Sequence, residues 1–442
     1  MTGKGKPYKS TRGKRTSSKF SSRTDEVLNL ASEFLDACNP QAAQLIFEEA
    51  LAANPDDAIL LDALGELLYD LGEEEQAKAR FLKSAEVSPG GSHAKWVHLG
   101  TMSEGAEAVG YFRRGINLLE SRVMAASAAA KASFASSLDS VTLLKRSLSN
   151  SYCSIAEIYM SDLCDEPEAE REAETSAAAA VTADEQNPDA HAVYASVRLS
   201  QSRPSEAAIM LKRASALLEA LCREMEEDVL KEDDGNNEEG DMVLSEENSS
   251  NNTTSLSLKT TEAKELLAAQ SAALMPAYHS RLSLGKMCME SELWHEASDI
   301  FDRLLAEDDT VMEIWFLLGE AQLHSQDFNS ALDTVTTAAA IVSSAISTVQ
   351  GHSAIGGKKG SKGQKGMSKT KAGFGEGAAI RSATAEAIQN APLDFSKEVI
   401  ASLLSTPIEE LQAQLLQFSK LIDSIKTQQQ QQVENNASTM MT

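Results

Sequence analysis

A pattern of small and bulky apolar residues recurs every 34 positions in this chain, and no other feature of the sequence restricts its fold as much. Residues 24–57 and 58–91 carry the pattern most regularly. The paired positions are Leu30 and Leu64, Ala31 and Gly65, Phe34 and Leu68, Ala43 and Ala77, Phe47 and Phe81, Ala50 and Ser84, and Pro55 and Pro89. Within each period the spacing predicts two amphipathic helices joined by a tight turn. The turns fall at Asn39-Pro40 and at Leu71-Gly72.

This period is typical of the tetratricopeptide repeat. The small residues let the two helices of a repeat approach closely, the bulky residues fill the space between helices, and the proline ends the second helix. The sequence therefore predicts an all-α fold, a tetratricopeptide-repeat superhelix (an α-solenoid) of about seven helix pairs. Stacked repeats of this kind usually bind another polypeptide.

The spacing becomes irregular in the middle of the chain. A third repeat begins around Trp96, but its second helix follows four residues early and continues through the alanine-rich residues 121–147. This predicts a shortened turn and an extended or broken helix. Two further repeats follow, and the regular spacing returns at 278–311 and 312–345.

The changes of pattern and composition predict seven segments. They are a disordered basic arm at 1–23, repeats one to five at 24–222, a disordered acidic loop at 223–262, repeats six and seven at 263–350, a flexible Gly/Lys linker at 351–381, a C-terminal capping-helix region at 382–427 and a disordered tail at 428–442. Thr24 is followed by acidic residues, so we expect it to cap the first helix.

The net charge of −26 is distributed unevenly. Residues 1–23 hold eight Lys and Arg and no acid, and residues 351–381 hold seven against Glu376 alone. The rest of the chain carries 25 basic and 65 acidic residues. Such a body repels nucleic acid and attracts basic partners. The alternative is that the acidic surface only keeps the protein soluble.

Several classes of protein are not indicated by the sequence. No apolar run reaches the length of a membrane span, and the basic N-terminal residues are not followed by the apolar stretch of a secretory signal. The five cysteines form no Cys-x-x-Cys pair, so we expect reduced thiols in the cytoplasm or nucleus. No metal-binding spacing involves the histidines, and the Gly/Lys run at 356–366 has no strand before it to form a phosphate loop. We expect no enzyme activity, cofactor or metal.

The candidate binding surface is the concave side, which the first helix of each repeat lines. In peptide-binding members of the repeat family, contacts come from positions 2, 5, 9, 12 and 13 of that helix. Carried onto this sequence, the positions give client-binding candidates at Asp25, Asp36, Asp62, Glu66, Tyr69, Asp70, Glu157, Asp189, Glu290, Glu313, Phe316 and Glu320. Ten of the twelve are acids, and Lys286 is the one lysine at such a position in the repeats considered, so the predicted ligand is an extended Lys/Arg-rich segment.

Two stretches distinguish the chain from a generic array of tetratricopeptide repeats. They are SNSYCSIAEIYMSDLCDEPEAE at Ser149–Glu170 and GTMSEGAEAVGYFRRGI at Gly100–Ile116. With these stretches, and with the acidic insertion before the last two repeats, the chain resembles the assembly chaperones of large-subunit (60S) ribosomal protein four. The resemblance covers roughly residues 24–345; the repeats alone carry little specificity.

The resemblance implies a monomeric, non-enzymatic chaperone. It would hold a basic extended segment of its newly made ribosomal client and escort it to nuclear pre-60S assembly. The client would be ribosomal protein four, and the protein would occur in cytoplasm and nucleus. The body would not bind nucleic acid or membranes directly. The basic residues Lys4–Lys19 are consistent with a signal for a nuclear import receptor, and disordered basic tails are also common. The competing hypothesis is a general tetratricopeptide adaptor or scaffold subunit of a multiprotein complex.

Overall fold

The computed structural model describes residues 17–132, 138–234, 273–356, 403 and 406–440, and in these ranges it is helical with no strand. The chain divides into two compact units. The first comprises Met1–Gln201 with Glu224–Leu274, and the second comprises Ser202–Arg223 with Met275–Thr442.

The first unit contains consecutive antiparallel helix pairs and the first helix of a further pair. Its helices are α1 (Ser17–Asp36), α2 (Pro40–Ala53), α3 (Ala58–Asp70), α4 (Glu74–Val87), α5 (Ala94–Thr101), α6 (Gly105–Ala132), α7 (Leu138–Met160), α8 (Ala169–Ala183) and α9 (Pro188–Ser200). Each helix packs on the next one along the chain, and first helices also contact each other, as α7 contacts α9.

The second unit holds the later repeats. Its helices are the first part of α10 (Pro204–Asp234), α11 (Tyr278–Glu290), α12 (Trp294–Glu307), α13 (Met312–His324), α14 (Phe328–Gly356) and α15 (Ile408–Met440). In the described ranges α1 to α14 follow one another as the successive helices of repeats, and the predicted all-α tetratricopeptide-repeat fold is confirmed.

Asp57 connects the first two repeats. Its carboxylate accepts hydrogen bonds from the backbone N–H groups of Ile59 and Leu60 at 3.1 and 3.3 Å, and so caps α3. The other carboxylate oxygen accepts a bond of 2.7 Å from the hydroxyl of Thr24. The prediction that Thr24 caps the first helix is wrong, because α1 begins at Ser17 and Thr24 is buried inside it.

The third repeat has the short turn that the sequence predicts. The helix α5 ends at Thr101 and α6 begins at Gly105, whose φ of +53° favours glycine. The backbone N–H of Gly105 donates a bond of 3.1 Å to the Asp162 carboxylate, in the irregular stretch after α7. The two irregular regions of the sequence are thus in contact.

The helices extend beyond four of the predicted segment boundaries. The arm is helical from Ser17, α10 continues to Asp234, α14 continues to Gly356 and α15 continues to Met440, where a disordered tail was expected. A packed helix propagates into neighbouring residues at low cost, and the Gln-rich sequence after Lys426 is a good helix former. The remainder of the predicted arm, acidic loop and linker lies outside the described residues, as do residues 382–402 and 404–405 of the predicted capping-helix region 382–427.

Candidate functional site

The twelve predicted binding residues are divided between the two units. Eight lie on first helices of the first unit and four on first helices of the second. In the described part of the chain no group of His, Cys, Asp or Glu is arranged to hold a metal ion. None of the described helices has the length and apolar character needed to cross a membrane.

Three of the predicted acids share one face of α3. Asp62, Glu66 and Asp70 are four residues apart, so their side chains follow each other along the helix; we call them the α3 carboxylate face. Burial raises the pKa of Glu66 from its ordinary value of 4.5, and the charges of Asp62 and Asp70 raise it further. The three carboxylates therefore repel each other, and a bound cation would relieve that repulsion.

Asp62 also has a partner within the fold. The ammonium group of Lys95, on α5, lies 3.3 Å from the Asp62 carboxylate, and the Lys95 side chain is fully buried. It also donates a bond of 2.7 Å to the hydroxyl of Ser84. Asp62 is thus part of the packing between the second and third repeats, and Glu66 and Asp70 are the more exposed acids of the face.

His98 adds a ring to this surface. It stacks on Phe81 with an interplanar angle of 5°, and it contacts Tyr69 at a tilt of 59°, both at a centroid distance of 5.0 Å. Burial lowers the pKa of His98, while the charges of Asp70 and Asp62 act in the opposite direction. The predicted residue Tyr69 is therefore held in place from one side by His98.

A second pair of acids lies further along the first unit. Burial raises the pKa of Glu157 on α7, and the charge of Asp189 on α9 raises it further. Burial raises the pKa of the Cys153 thiol, and the charges of the same two carboxylates raise it further. Glu157 and Asp189 therefore influence each other across the neighbouring first helices α7 and α9.

The other predicted acids of the first unit stand apart from these groups. Asp25 is exposed near the start of the repeat pattern, and Asp36 is exposed as the last residue of α1.

In the second unit, two predicted residues make contacts inside the protein. Lys286 on α11 forms an ion pair of 2.7 Å with Glu313 on α13. Phe316 is partly buried against Phe418 of α15 at a centroid distance of 6.1 Å, so it supports α15 instead of presenting an exposed ring. Glu290 is exposed as the last residue of α11, and Glu320 is half-buried on α13.

The five ligand-contact positions of the repeat did not identify Lys95 and His98 as residues of this surface. Neither occupies one of the five ligand-contact positions, although both reach the α3 carboxylate face from α5. The lysine directly before Trp96 was the one signal available in the sequence.

The chain is similar to a family model, to two relatives in sequence and to a solved structure. A family model described as tetratricopeptide repeat matches residues 28–91. A protein of Schizosaccharomyces pombe named "Probable assembly chaperone of rpl4" is 24% identical over 299 residues, which cover 66% of this chain and 72% of that protein. A protein of Emericella nidulans with the same name is 23% identical over 288 residues, covering 63% of this chain and 57% of that protein.

Among solved structures, one titled "Assembly Chaperone of RpL4 (Acl4) (Residues 1-338)" matches with a TM-score of 0.52 and 22% identity. The match covers 69% of this chain and 96% of that one. This likeness supports the fold. Together with the two sequence relatives, it confirms the resemblance drawn from the irregular repeats.

Proposed function

We propose that this chain, a tetratricopeptide-repeat protein similar in sequence to assembly chaperones of ribosomal protein Rpl4, is itself a dedicated, non-enzymatic chaperone of Rpl4. It binds a basic, extended segment of the newly made protein on the acidic surface of its first helices. The observation that carries the proposal is the α3 carboxylate face, where three acids follow each other along one helix and where burial and the charges of Asp62 and Asp70 raise the pKa of Glu66.

A basic segment satisfies this surface better than any neutral ligand. Each Lys or Arg that approaches Glu66 and Asp70 removes part of the repulsion between carboxylates, which is present in the free protein. Arginine gains most, because its planar guanidinium can donate two parallel bonds to one carboxylate. Tyr69, fixed by His98, offers a ring on which a guanidinium can stack. The Glu157–Asp189 pair offers a second carboxylate site further along the unit.

The proposal is tested by measuring the affinity of the purified protein for Rpl4 from the same organism at low and at moderate salt. We expect binding to weaken steeply as salt rises, because partly exposed ion pairs are screened. We also expect Glu66→Lys and Glu157→Lys each to lower the affinity by about tenfold, which corresponds to about 1.4 kcal/mol.

The chain offers matched controls for these variants. Glu49 on α2 and Glu86 on α4 are exposed acids on second helices. Glu49→Lys and Glu86→Lys change the net charge by the same amount but leave the first-helix surface intact. If all four variants weaken binding equally, net charge rather than a specific surface accounts for the affinity, and the proposed site is wrong. If Rpl4 does not bind at low salt, the chaperone function is wrong.

The second candidate function, a general adaptor, makes the opposite prediction. An adaptor that binds partners through apolar pockets retains them at high salt, because apolar contacts are not screened. Recovery of a salt-resistant multiprotein complex without a basic ribosomal protein would favour it.

We also propose that the protein escorts its client from cytoplasm to nucleus as a monomer. The support is the basic arm, in which Lys4–Lys19 resembles a signal for an import receptor. Replacement of the arm's Lys and Arg by Ser should abolish nuclear accumulation of a fluorescent fusion and leave Rpl4 affinity unchanged. Equal nuclear levels of the two proteins would exclude the arm as the signal.

A further inference from the structure

Lys286 occupies a ligand-contact position of the second unit and carries the charge expected of the ligand. It lies on the first helix α11, and its ammonium group is 2.7 Å from the carboxylate of Glu313 on the next first helix, α13. Glu313 is itself one of the candidate client-binding acids. One carboxylate of the acidic surface is therefore already paired with a cation of the same chain.

Both partners of this ion pair are open to solvent. The side chain of Lys286 is 42% exposed and that of Glu313 is 55% exposed. Exposed pairs of this kind contribute little free energy, because water screens both charges and two long side chains must be held in one geometry. Among the described residues we find no other hydrogen bond or ion pair of the Lys286 ammonium group. The contact is therefore weak enough for another cation to replace it.

Lys95 in the first unit forms an ion pair of the opposite kind. Its ammonium group lies 3.3 Å from Asp62, another client-binding candidate, but its side chain is fully buried and also donates a bond to Ser84. A ligand cannot reach this nitrogen, and its departure would leave a buried carboxylate without a cation. Burial therefore distinguishes the two lysines. Lys95 belongs to the packing between repeats, whereas Lys286 only occupies an acid of the surface.

Arg281 gives the same contrast within α11. Its ion pair with Glu307 on the second helix α12 is also 2.7 Å long, but the arginine is buried and donates a further bond of 3.1 Å to the carbonyl oxygen of Pro276. Arg281 thus connects α11 to its own repeat and to the residues before it. The Lys286 pair has no such burial and no second acceptor.

Glu290 can receive the ammonium group when it leaves Glu313. It is the exposed last residue of α11, four residues after Lys286, so the two side chains share one face of the helix. The displaced lysine therefore keeps an acid beside it, which makes the displacement less costly. An incoming arginine gains more at Glu313 than the lysine loses, because its guanidinium can donate two parallel bonds to one carboxylate.

We propose that Lys286 is an internal competitor for basic ligands and sets the affinity of the second unit for them. In the free protein it pairs with Glu313, and when a basic segment binds, a cation of that segment replaces it there. The inference rests on the proposed binding of a basic client to the first helices. It makes Lys286 a specificity-determining residue, because segments rich in arginine replace it and segments of low charge do not.

The test measures the affinity of the full chain for a fluorescein-labelled peptide of alternating arginine and serine, by fluorescence anisotropy at low salt. We expect Lys286→Gln to raise the affinity about threefold, because Glu313 is then free to bind the peptide. Lys286→Arg keeps the net charge but holds Glu313 with a guanidinium, so it should lower the affinity about twofold. Both effects should become smaller at moderate salt, where exposed charges are screened.

Lys212 provides matched controls for both substitutions. It is an exposed lysine on α10, a second helix, in the part of that helix that belongs to the same unit. Lys212→Gln and Lys212→Arg make the same changes of charge and shape away from the first helices, so neither should alter the affinity. The midpoint of urea unfolding should stay the same in all four variants, because the Lys286 pair is exposed.

The competition is wrong if Lys286→Gln leaves the affinity unchanged, or if Lys212→Gln raises it equally, because net charge then accounts for the gain. It is also wrong if Lys286→Arg binds the peptide as tightly as the original protein does. In each of these cases the original protein still binds the peptide, and the client-binding surface stands. If neither the original protein nor Lys286→Gln binds the peptide at low salt, the first helices do not bind basic segments, and both proposals are wrong.

Discussion

The ring of Phe81 occupies the space that a side chain on Gly65 would need. A Cβ atom added to Gly65 would lie 2.8 Å from Cε1 of Phe81, which is closer than non-bonded carbon atoms approach. Gly65 is on the first helix of the second repeat and Phe81 on its second helix. The same contact recurs between Gly285 and Phe301 in the sixth repeat, at 2.5 Å. The glycine therefore sets how closely the two helices of a repeat pack.

We expect Gly65→Ala to destabilise the protein by about 1–3 kcal/mol, because the fully buried Phe81 ring must shift inside a packed core. The midpoint of urea unfolding, followed by circular dichroism, measures the effect. Gly110→Ala on α6 is the matched control, since no atom lies within 4 Å of its added Cβ. It should stabilise the helix by about 0.5–1 kcal/mol. Equal destabilisation by both variants would contradict the packing argument.

The sequence was sufficient to predict the fold because the repeat places the same side-chain volumes at the same helical positions. Gly65 and Phe81, or Ala31 and Phe47, determine the helix–helix packing wherever the 34-residue period holds. The register also placed Glu157 and Asp189 on neighbouring helices. These relationships depend on backbone geometry, which the period fixes.

Contacts that depend on the reach of one long side chain could not be predicted in this way. Lys95 extends through the interface between repeats to Asp62, and no periodic rule specifies that direction. The burial of Phe316 depends on Phe418, about a hundred residues later and beyond the regular repeats.

Replacement of Lys95 by methionine tests whether its ion pair supports the fold. We expect a loss of about 3 kcal/mol in the free energy of unfolding, because Asp62 is left without its cation and Ser84 without its donor. The double variant Lys95→Met/Asp62→Asn should recover part of the loss, since the unpaired charge is then removed. Urea unfolding of the two single variants and the double variant gives the coupling energy. A Lys95→Met variant as stable as the original protein would show that the pair is dispensable.

Glu66→Gln should raise the stability of the protein and lower its affinity for Rpl4. The raised pKa of Glu66 means that the folded protein holds this proton more tightly than the unfolded chain does. Folding is therefore disfavoured as pH rises through the carboxylate range above 4.5. At pH 7 we expect the Gln variant to be slightly more stable, by about 0.5 kcal/mol after allowance for solvent screening, and to bind Rpl4 more weakly.

The difference in stability should vanish at low pH, where Glu66 is protonated in both states. Thermal unfolding at pH 4 and pH 7 measures it, and binding assays at pH 7 measure the affinity. Glu49→Gln is the control, because Glu49 is exposed on the second helix α2 and lies apart from the α3 carboxylate face. A Gln variant that is less stable at pH 7 would contradict the repulsion inferred for this face.

The cysteines should differ in reactivity according to burial. Burial raises the pKa of Cys288 to about 12, and the charge of Glu296 adds to this effect. Burial raises the pKa of Cys153 as well, whereas Cys38 and Cys164 are exposed. At pH 8 we expect a thiol reagent to label Cys38 and Cys164 rapidly, and Cys153 and Cys288 only after unfolding. Mass spectrometry of the labelled peptides identifies the order, and early labelling of Cys288 would contradict the burial.

Phe418→Ala tests whether α15 is an integral part of the second unit. The Phe418 ring is 2% exposed and packs with Leu411, Leu421 and Ile422 against α14, and with Phe316 on α13. Loss of a buried phenylalanine costs about 3–5 kcal/mol. We expect α15 to lose its protection in hydrogen exchange while α11 and α12 retain theirs.

Leu416→Ala is the matched control, because Leu416 lies on the same helix but is 39% exposed. It should leave the exchange pattern unchanged. Since α15 covers Phe316, its release would also expose that ring on α13, where the repeat register predicts a client contact. Retained protection of α15 in Phe418→Ala would show that the remaining apolar contacts hold the helix. Loss of protection throughout α11 to α15 would show instead that α15 is required for the second unit to fold.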